Sequence, residues 1–184
     1  MIIIDDFIQD KDLLSNITKQ KDTFFGPNGN FMWWDGWWNS PTKTIKQKLI
    51  EYIWKDHSPT QGYDIVGFEY WTGVYGPDKA NKDLGGHYDK DEEQFKRTGE
   101  IIRPIIGTVY YPMDIDFEGG MLEIEHENGD VERVQAKYNR LIIFDAGNKV
   151  HRVTPVTKGT RHAIAINLWD RELLAVSEGK MTIE

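Results

Sequence analysis

The sequence contains no cysteine among its 184 residues. This absence excludes disulfide bonds, thiolate metal sites and catalysis by a cysteine nucleophile. Apolar runs are short, and none approaches the roughly 20 residues that a membrane-spanning helix requires. The chain must therefore depend on a packed core, and its length is sufficient for one domain of that kind.

Positive charge is also scarce, since 22 Lys and Arg residues face 30 Asp and Glu residues, for a net charge of -8. An acidic surface disfavours nucleic acids and anionic membranes as partners. The first ten residues, MIIIDDFIQD, turn acidic soon after Met1, which is not the pattern of a signal peptide. We therefore expect a cytoplasmic protein that binds neither nucleic acid nor membrane.

Short strands dominate the predicted secondary structure and indicate one domain in three parts. Residues 1–58 predict a strand at Ile2–Ile4, a helix near 10–21 capped by Asp10, and a helix after the N-cap Ser40 that ends before Pro59. Residues 171–184 form a tail that either docks as a short helix or frays. Residues 62–170 carry turn-separated strands near 63–71, 101–111, 119–126, 130–135, 140–145, 150–154 and 161–169.

This order of elements predicts the fold class. Many short strands after leading helices favour a mainly β protein, a jelly roll of the cupin-like, double-stranded β-helix type, with the N-terminal helices packed on one sheet. The dipeptide at 128–129, Asn-Gly, lies between two alternating runs and predicts a hairpin.

The stretch GGHYDKDE (85–92) holds the first candidate site, His87 and Asp89. Alternate residues of a strand point to the same face, so an imidazole and a carboxylate two apart can reach one cation. About 0.8 such pairs are expected by chance in a chain of this composition, and a solvated acidic loop is the alternative. The tract 89–93 is itself interpreted as solvated surface, with attraction of a basic substrate as a weaker hypothesis.

A site of two histidines and one carboxylate needs a second, distant histidine. Two candidates, His57 after a helix and His126 on a polar hairpin, are expected at the surface, and His162 falls on the core face of the last strand. The remaining candidate, His151, follows a buried strand at 141–144 and opens the next one, which places it beside a loop at the mouth of a barrel.

The last strand carries a candidate anion-binding residue, Arg161. One of its faces is apolar, whereas the other alternates small and polar residues and leaves a hollow. A buried guanidinium requires a partner, and a bound carboxylate would satisfy it bidentately. The alternative is a solvated arginine at the strand end. The polar face of this strand is formed by Arg161, Ala163, Ala165, Asn167 and Trp169.

Taken together, these motifs resemble the iron(II)/2-oxoglutarate-dependent dioxygenases, most closely their prolyl 4-hydroxylase-like branch. The resemblance extends to IIIDDFIQDKDLL at the start, YWTG at 70–73, GTVYYPMD and FEGGMLEI in the middle, and NRLIIFDAGNKVHRVTPVTKGTRHAIAINLW at the end. It covers most of residues 1–170 and implies a double-stranded β-helix with the metal at its open end.

The resemblance also implies roles for single residues. His87, Asp89 and His151 would be the catalytic residues that ligate Fe(II), and Arg161 would hold the distal carboxylate of the cosubstrate 2-oxoglutarate. The further cosubstrate contacts implied are Tyr111, Leu122 and Tyr70. The candidate substrate pocket is assigned to Asn167 and Trp169, and the insert YGPDKANKDL (75–84) is expected to be a mobile loop near the site.

The expected function is therefore hydroxylation of a C–H bond with conversion of 2-oxoglutarate and O2 to succinate and CO2, with peptidyl proline as one candidate substrate and ascorbate as a candidate reductant. A free amino acid or small metabolite is the alternative substrate. A non-catalytic metal- or sugar-binding jelly roll is the alternative of another class. The sequence leaves the oligomeric state open.

The segment NFMWWDGWWNS (30–40) holds four of the seven tryptophans. Large aromatic side chains are mostly buried, so we expect them in the core between the helices and the β-domain. A substrate groove and a dimer surface are the functional alternatives, because tryptophan is enriched at binding hot spots.

Overall fold

The β-strands account for most of the architecture. The structure is a computed structural model that describes residues 1–26, 30–58, 62–77 and 84–183. The strands are β1 (Ile2–Ile4), β2 (Met32–Trp34), β3 (Gly67–Tyr75), β4 (Leu84–His87), β5 (Ile106–Tyr111), β6 (Glu118–Gly119), β7 (Leu122–Glu125), β8 (Val131–Val134), β9 (Arg140–Phe144), β10 (His151–Val153), β11 (Val156–Lys158), β12 (Arg161–Trp169) and β13 (Thr182–Ile183).

The helices are short and few. None of those in the described part of the chain has the length and apolar character needed to cross a bilayer. They are α1 (Lys11–Lys19), α2 (Lys21–Phe25), α3 (Ile45–Glu51), which continues as a π-helical turn over Tyr52–Asp56, α4 (Glu92–Thr98) and α5 (Leu174–Ser177).

Two sheets carry the fold. The larger has the order β1-β9-β5-β12-β3-β2-β13, and the smaller has the order β4-β10-β7-β8, while β6 and β11 form a separate pair. Residues of both main sheets share one hydrophobic core, so the sheets face each other, as in a jelly roll. The predicted fold class, a double-stranded β-helix with flanking helices, is thereby confirmed.

The central strand of the larger sheet is β12, which pairs with β3 along nine residues and with β5 on its other side. Ile164, Ile166 and Leu168 are fully buried against the helices. Each such side chain contributes about 1.5–3 kcal/mol by leaving water. Because side chains alternate along a strand, the intervening residues of β12 face the smaller sheet, and this row forms one wall of the site described below.

The first helix begins as the sequence predicts. The Asp10 carboxylate accepts hydrogen bonds from the backbone N–H groups of Asp12 and Leu13. These bonds satisfy two of the donors that a helix leaves unpaired at its start. Leu13 and Ile17 are buried on the inner face of the helix.

The start predicted for the second long helix is wrong. The α3 helix begins after Thr44, whose hydroxyl accepts from the Gln47 N–H while the Gln47 side chain accepts from the Thr44 N–H, a reciprocal capping box. Ser40 instead closes a turn by donating its backbone N–H to the Gly36 carbonyl. The predicted boundary at Pro59 lies outside the described residues, and the helix ends at Asp56.

We expect Thr44→Ala to lower the free energy of unfolding by about 1 kcal/mol, because the variant loses the hydroxyl that accepts from the N3 amide. Urea denaturation followed by circular dichroism would measure the change. Ser40→Ala is the matched control and should change stability by less than about 0.5 kcal/mol. A larger loss at residue 40 than at residue 44 would contradict the capping assignment.

The tryptophans of residues 30–40 divide between core and surface. Trp33 and Trp34 are buried, Trp37 is half-buried, and Trp38 is 42% exposed. The Trp34 ring stacks on Phe68 with centroids 5.8 Å apart. Trp34 thus lies in the core beside the helices, as expected, whereas Trp33 packs in a separate cluster with Trp169 and the other two rings stay partly exposed.

The acidic tract at 89–93 is more than a solvated surface. Asp91 is buried, caps α4 through the Gln94 N–H and accepts a second hydrogen bond from the Leu174 N–H. These contacts join α4 to α5, so the C-terminal segment docks and does not fray over its described residues. Its last strand, β13, pairs in parallel with β2.

Candidate metal and cosubstrate site

Three candidate ligands meet where the smaller sheet faces β12. His87 ends β4 and His151 begins β10, and the two are direct partners in the antiparallel register of these strands. Their ring centroids are 4.4 Å apart. Asp89 lies just beyond β4, and its backbone N–H donates a hydrogen bond to the Ala146 carbonyl, which fixes this turn. Residues that are 64 positions apart in the sequence thus share one site.

The spacing of these side chains fits one metal ion. The Asp89 Oδ1 atom lies 3.5 Å from Nε2 of His87 and 3.6 Å from Nε2 of His151. All three ligand atoms lie within 4.8 Å of one another. Ligands bound at about 2.1 Å to one octahedral ion lie about 3 Å apart, so small side-chain movements close the site.

Both imidazoles are oriented by backbone carbonyls. The Nδ1 atom of His87 lies 2.8 Å from the Gly85 carbonyl oxygen, and Nδ1 of His151 lies 3.0 Å from the Lys149 carbonyl oxygen. A carbonyl only accepts, so each Nδ1 carries a proton, and the neutral form of each ring presents its Nε2 lone pair to a metal. The sequence did not reveal these partners, because a carbonyl contact leaves no residue-type signal.

The charges of Asp89 and His151 are coupled in the metal-free protein, and a bound cation would take the place of the proton that they share. Burial alone would raise the pKa of Asp89, but hydrogen bonds from His151 and Asn167 outweigh it and lower the pKa, so the carboxylate is ionised. Burial alone would lower the pKa of His151, but the Asp89 carboxylate raises it. The Asn167 amide donates to Asp89 Oδ2 over 3.0 Å, which leaves Oδ1 for the ion.

The three ligands open onto a cavity of about 290 Å³ between the sheets. Its wall includes the predicted row on β12 and the matching row on β3. The described residues that line it are Phe31, Glu69, Trp71, Gly73, Tyr75, His87, Tyr88, Asp89, Lys90, Glu92, Gly107, Thr108, Val109, Leu122, Phe144, Ala146, His151, Arg152, Val153, Arg161, Ala163, Ala165 and Asn167.

One end of this cavity is cationic. Arg161 is only 3% exposed, and its guanidinium donates to the Gly120 carbonyl and to the Tyr111 hydroxyl, each over 3.2 Å. No carboxylate of the described residues forms an ion pair with it. A buried guanidinium with two neutral partners is poorly compensated and is suited to bind an anion. Leu122 is also buried in this wall.

The tyrosine of β3 that lines the pocket wall is not the predicted one. Tyr70 is fully buried in the core on the helix side of the larger sheet and does not line the cavity. Tyr75 lines it instead, with its ring centroid 6.0 Å from the Arg161 guanidinium carbon. Side chains alternate with a period of two, so a shift of five residues changes the face.

Trp169, which was predicted in the substrate pocket, does not line the cavity. It is fully buried beside Trp33, Leu173 and Val176, outside the cavity lining. The polar row of β12 continues here beneath the docked C-terminal segment, which covers the ring. The insert predicted as a mobile loop lies largely outside the described residues, since residues 78–83 are not described.

The cavity also contains an acidic residue that no sequence motif indicated, Glu69. It is 8% exposed, and its Oε2 atom accepts from the Trp169 indole N–H over 3.3 Å and from the Asn167 amide over 3.4 Å. Burial, and secondarily the charge of Asp89, raise the pKa of Glu69 to about 8. A lone acid within the apolar stretch IVGFEYW was the signal that could have found it.

We expect Glu69→Gln to make the metal-free protein more stable at pH 8. The pKa of Glu69 in the folded protein lies above the usual value of 4.5. The stability that the protonated carboxyl contributes to the folded state is therefore fully present below about pH 4.5 and is lost as the pH rises towards 8. Gln carries no charge and keeps a carbonyl acceptor for Trp169. The gain at pH 8 should be on the order of 2–4 kcal/mol, against little change at pH 5.

Urea denaturation of the metal-free proteins at both pH values would measure this difference. Glu92→Gln removes the same charge from an exposed position and should unfold like the wild type at both. A Glu69→Gln variant that is less stable than the wild type at pH 8 would contradict the buried, uncompensated state of this carboxyl.

Comparison with known proteins agrees with this geometry. Residues 72–169, more than half of the chain, match the sequence profile of the 2OG-Fe(II) oxygenase superfamily. The chain is 33% identical over 78 residues to a PKHD-type hydroxylase of Pseudomonas fluorescens, covering 42% of this chain and 34% of that protein. It is 26% identical over 122 residues to one of Pseudomonas putida strain W619, covering 66% and 52%. The matches thus span about half or less of these relatives.

Among solved structures, the chain is similar to a prolyl-4-hydroxylase of Pseudomonas putida, with a TM-score of 0.63 at 16% identity over 92% of this chain and 84% of that one. At this identity the likeness concerns the fold alone. The matched residues 72–169 include the candidate metal ligands and Arg161. The chain belongs to the 2OG-Fe(II) oxygenase superfamily.

Proposed function

We propose that this protein is an Fe(II)- and 2-oxoglutarate-dependent hydroxylase. The observation that carries the proposal is the pairing, in one cavity, of a two-histidine, one-carboxylate cluster with a buried guanidinium that has no anionic partner among the described residues. A metal site alone would not need this arginine. A dicarboxylate that reaches both the metal and the guanidinium accounts for both ends.

The residues divide the work between them. His87, Asp89 and His151 hold the ion with their Nε2 and Oδ1 atoms, and Asn167 fixes the carboxylate. The bound Fe(II) supplies the oxidising chemistry that couples O2 reduction and decarboxylation of 2-oxoglutarate to attack on a C–H bond. The buried walls exclude water from this reaction.

The residues around the Arg161 guanidinium form the binding site for 2-oxoglutarate. Arg161 binds the distal carboxylate of 2-oxoglutarate, and the Tyr111 hydroxyl adds a hydrogen bond beside it. Leu122 packs against the carbon chain. We assign the second tyrosine contact to Tyr75, because it lines the cavity over the guanidinium whereas Tyr70 does not.

The substrate class is open between two candidates. Peptidyl proline is supported by the shared fold with the Pseudomonas putida prolyl-4-hydroxylase. A free amino acid or small metabolite is supported by the modest cavity of about 290 Å³. The non-catalytic binding module is disfavoured, because it gives no role to a buried arginine that has no carboxylate partner among the residues described.

Succinate formation tests the proposal. Purified protein with Fe(II), 2-oxoglutarate, ascorbate and air should release succinate, more so with a proline-containing peptide or an amino acid, and the substrate should gain 16 Da by mass spectrometry. A chelated sample is the control. If no succinate forms under any of these conditions, with or without a substrate to hydroxylate, the non-catalytic binding module would be favoured.

The remaining assignments rest on the sequence. We propose that residues 1–184 act as one domain and that ascorbate serves as reductant. A cytoplasmic location and the lack of nucleic-acid or membrane partners stay predictions drawn from the acidic composition.

A further inference from the structure

We propose that the cavity selects its substrate through a positively charged organic group, an ammonium or a guanidinium, which the Glu69 carboxylate binds beside the aromatic wall formed by Trp71 and Phe31. The inference rests on the proposed function and names the substrate class of the same site. It concerns the end of the cavity that 2-oxoglutarate does not occupy.

The two ends of the cavity are separated by the register of β3 and β12. Arg161 is paired with Tyr75, and six residues further along β12, Asn167 is paired with Glu69. At about 3.3 Å per residue, the Cα atoms of Arg161 and Asn167 lie roughly 20 Å apart along the strand, and the long Arg161 side chain spans part of that distance. The cationic end and the acidic end therefore bind different groups.

The Glu69 carboxyl has no cationic partner in the described part of the chain. It is buried, and both hydrogen bonds it receives within the described residues end on Oε2, at 3.3 and 3.4 Å. No lysine, arginine or histidine of the described ranges forms an ion pair with it. Because its pKa is raised to about 8, the Glu69 carboxyl is protonated at neutral pH while the site is empty. A cationic ligand would stabilise the ionised form, displace this proton and supply the partner that a buried carboxylate normally has.

The neighbouring aromatic rings suit such a ligand. Trp71 lies two residues beyond Glu69 on the same face of β3, and its ring centroid is 4.7 Å from that of Phe31. Both line the cavity, and Phe31 remains 48% exposed. Ring faces beside a carboxylate attract ammonium and guanidinium groups by cation–π interaction.

The acidic end is also close to the metal ligands. The Asn167 amide nitrogen lies 3.0 Å from Asp89 Oδ2 and 3.4 Å from Glu69 Oε2, so one amide group separates the two carboxylates. A cation held by Glu69 would thus place neighbouring carbon atoms of the substrate near the oxidising centre. Positioning of this kind is a large part of catalysis.

A second cavity adjoins the acidic end and could hold the rest of a longer substrate. A second cavity of about 600 Å³ shares Phe31, Glu69, Lys90 and Glu92 with the first, and it continues between α4 and the C-terminal segment. A charged group can therefore come from the α-amine of a free amino acid or from a basic side chain of a longer molecule. The two sources share the recognition chemistry and are separated experimentally.

Calorimetric binding to protein loaded with Mn(II) and 2-oxoglutarate tests the inference with matched probes. The side-chain arm compares N-acetyl-lysine N-methylamide with its Nε-acetyl form, and N-acetyl-arginine N-methylamide with the citrulline analogue. The amino-acid arm compares L-leucine with N-acetyl-L-leucine. In at least one pair, the member that carries the ammonium or guanidinium should bind about 10-fold or more tightly than its counterpart without that group, and the pair that responds identifies the source.

Glu69→Gln should reduce that preference to less than about 2-fold and leave the affinity for 2-oxoglutarate unchanged. Glu127→Gln removes the same charge from a fully exposed position outside both cavities and should keep the preference. Equal or absent binding of both members in every pair, survival of the preference in Glu69→Gln, or its equal loss in Glu127→Gln would overturn the inference. Trp71→Leu gives a second check and should weaken the charged probe several-fold.

The outcome is separable from that of the proposed function. Binding of Mn(II) and 2-oxoglutarate, and succinate release by the iron-loaded protein, depend on the ligands and Arg161. If these persist without any cation preference, only the inference fails. If they are absent from the wild type, the proposed function fails.

Discussion

Replacing His151 with alanine is expected to lower the affinity for a divalent metal by at least about 100-fold. The variant loses one of three protein ligands, and changes to groups that merely orient a ligand already cost about 10- to 100-fold. The remaining pair, His87 and Asp89, could hold the ion only with water in the vacated position. Titration of the apo-protein with Mn(II), followed by electron paramagnetic resonance of the free ion, would measure the change.

The control for this variant is His126→Ala. His126 lies on the β7–β8 hairpin beside Glu132, with its side chain 41% exposed, and does not approach the cluster. Its loss should leave Mn(II) affinity within about 2-fold of the wild type, as expected of a surface substitution. A similar decrease in both variants would show that metal binds elsewhere.

Replacing Arg161 with glutamine should weaken 2-oxoglutarate binding by at least about 30-fold, while Mn(II) affinity is retained. Truncating one partner of a buried, charge-assisted pair costs about 2–5 kcal/mol, and each 1.4 kcal/mol is tenfold in affinity. Glutamine keeps a donor for the Tyr111 hydroxyl but loses the charge and the second bidentate hydrogen bond. Calorimetry on the Mn(II)-loaded variant would measure the effect.

Arg171→Gln provides the matched control. Arg171 pairs with Asp170 at the surface, with its side chain 54% exposed, and should have no influence on the cosubstrate. Unchanged 2-oxoglutarate affinity in Arg161→Gln would mean that the dicarboxylate is not held by this guanidinium.

Local patterns in the sequence were sufficient for the central strand of the fold. In β12 the alternation of apolar with small or polar residues predicts both the buried face and the cavity face, and the structure places Ile164 and Ala163 accordingly. Elimination among five histidines reached His151 because its neighbourhood is a buried strand followed by a turn. Both inferences depend on features that lie within one short segment of the chain.

Contacts between distant segments could not be predicted in this way. The assignment of Tyr70 failed because it was carried over from a motif and not from the alternation of β3, which places Tyr75 on the cavity face. Trp169 was misplaced because nothing in β12 indicates that the C-terminal segment covers its end. Glu69 acquires its environment only when β3, β12 and the turn after β4 are assembled.

One cavity of this structure is expected to bind a divalent iron and a dicarboxylate together. Anaerobic titration of the protein with Fe(II) and 2-oxoglutarate would detect this joint binding, through the weak metal-to-ligand absorption band that forms when the cosubstrate chelates the ion. We predict that the band appears in the wild type with one equivalent of each component and is absent in His151→Ala. A band of unchanged intensity in that variant would contradict the account.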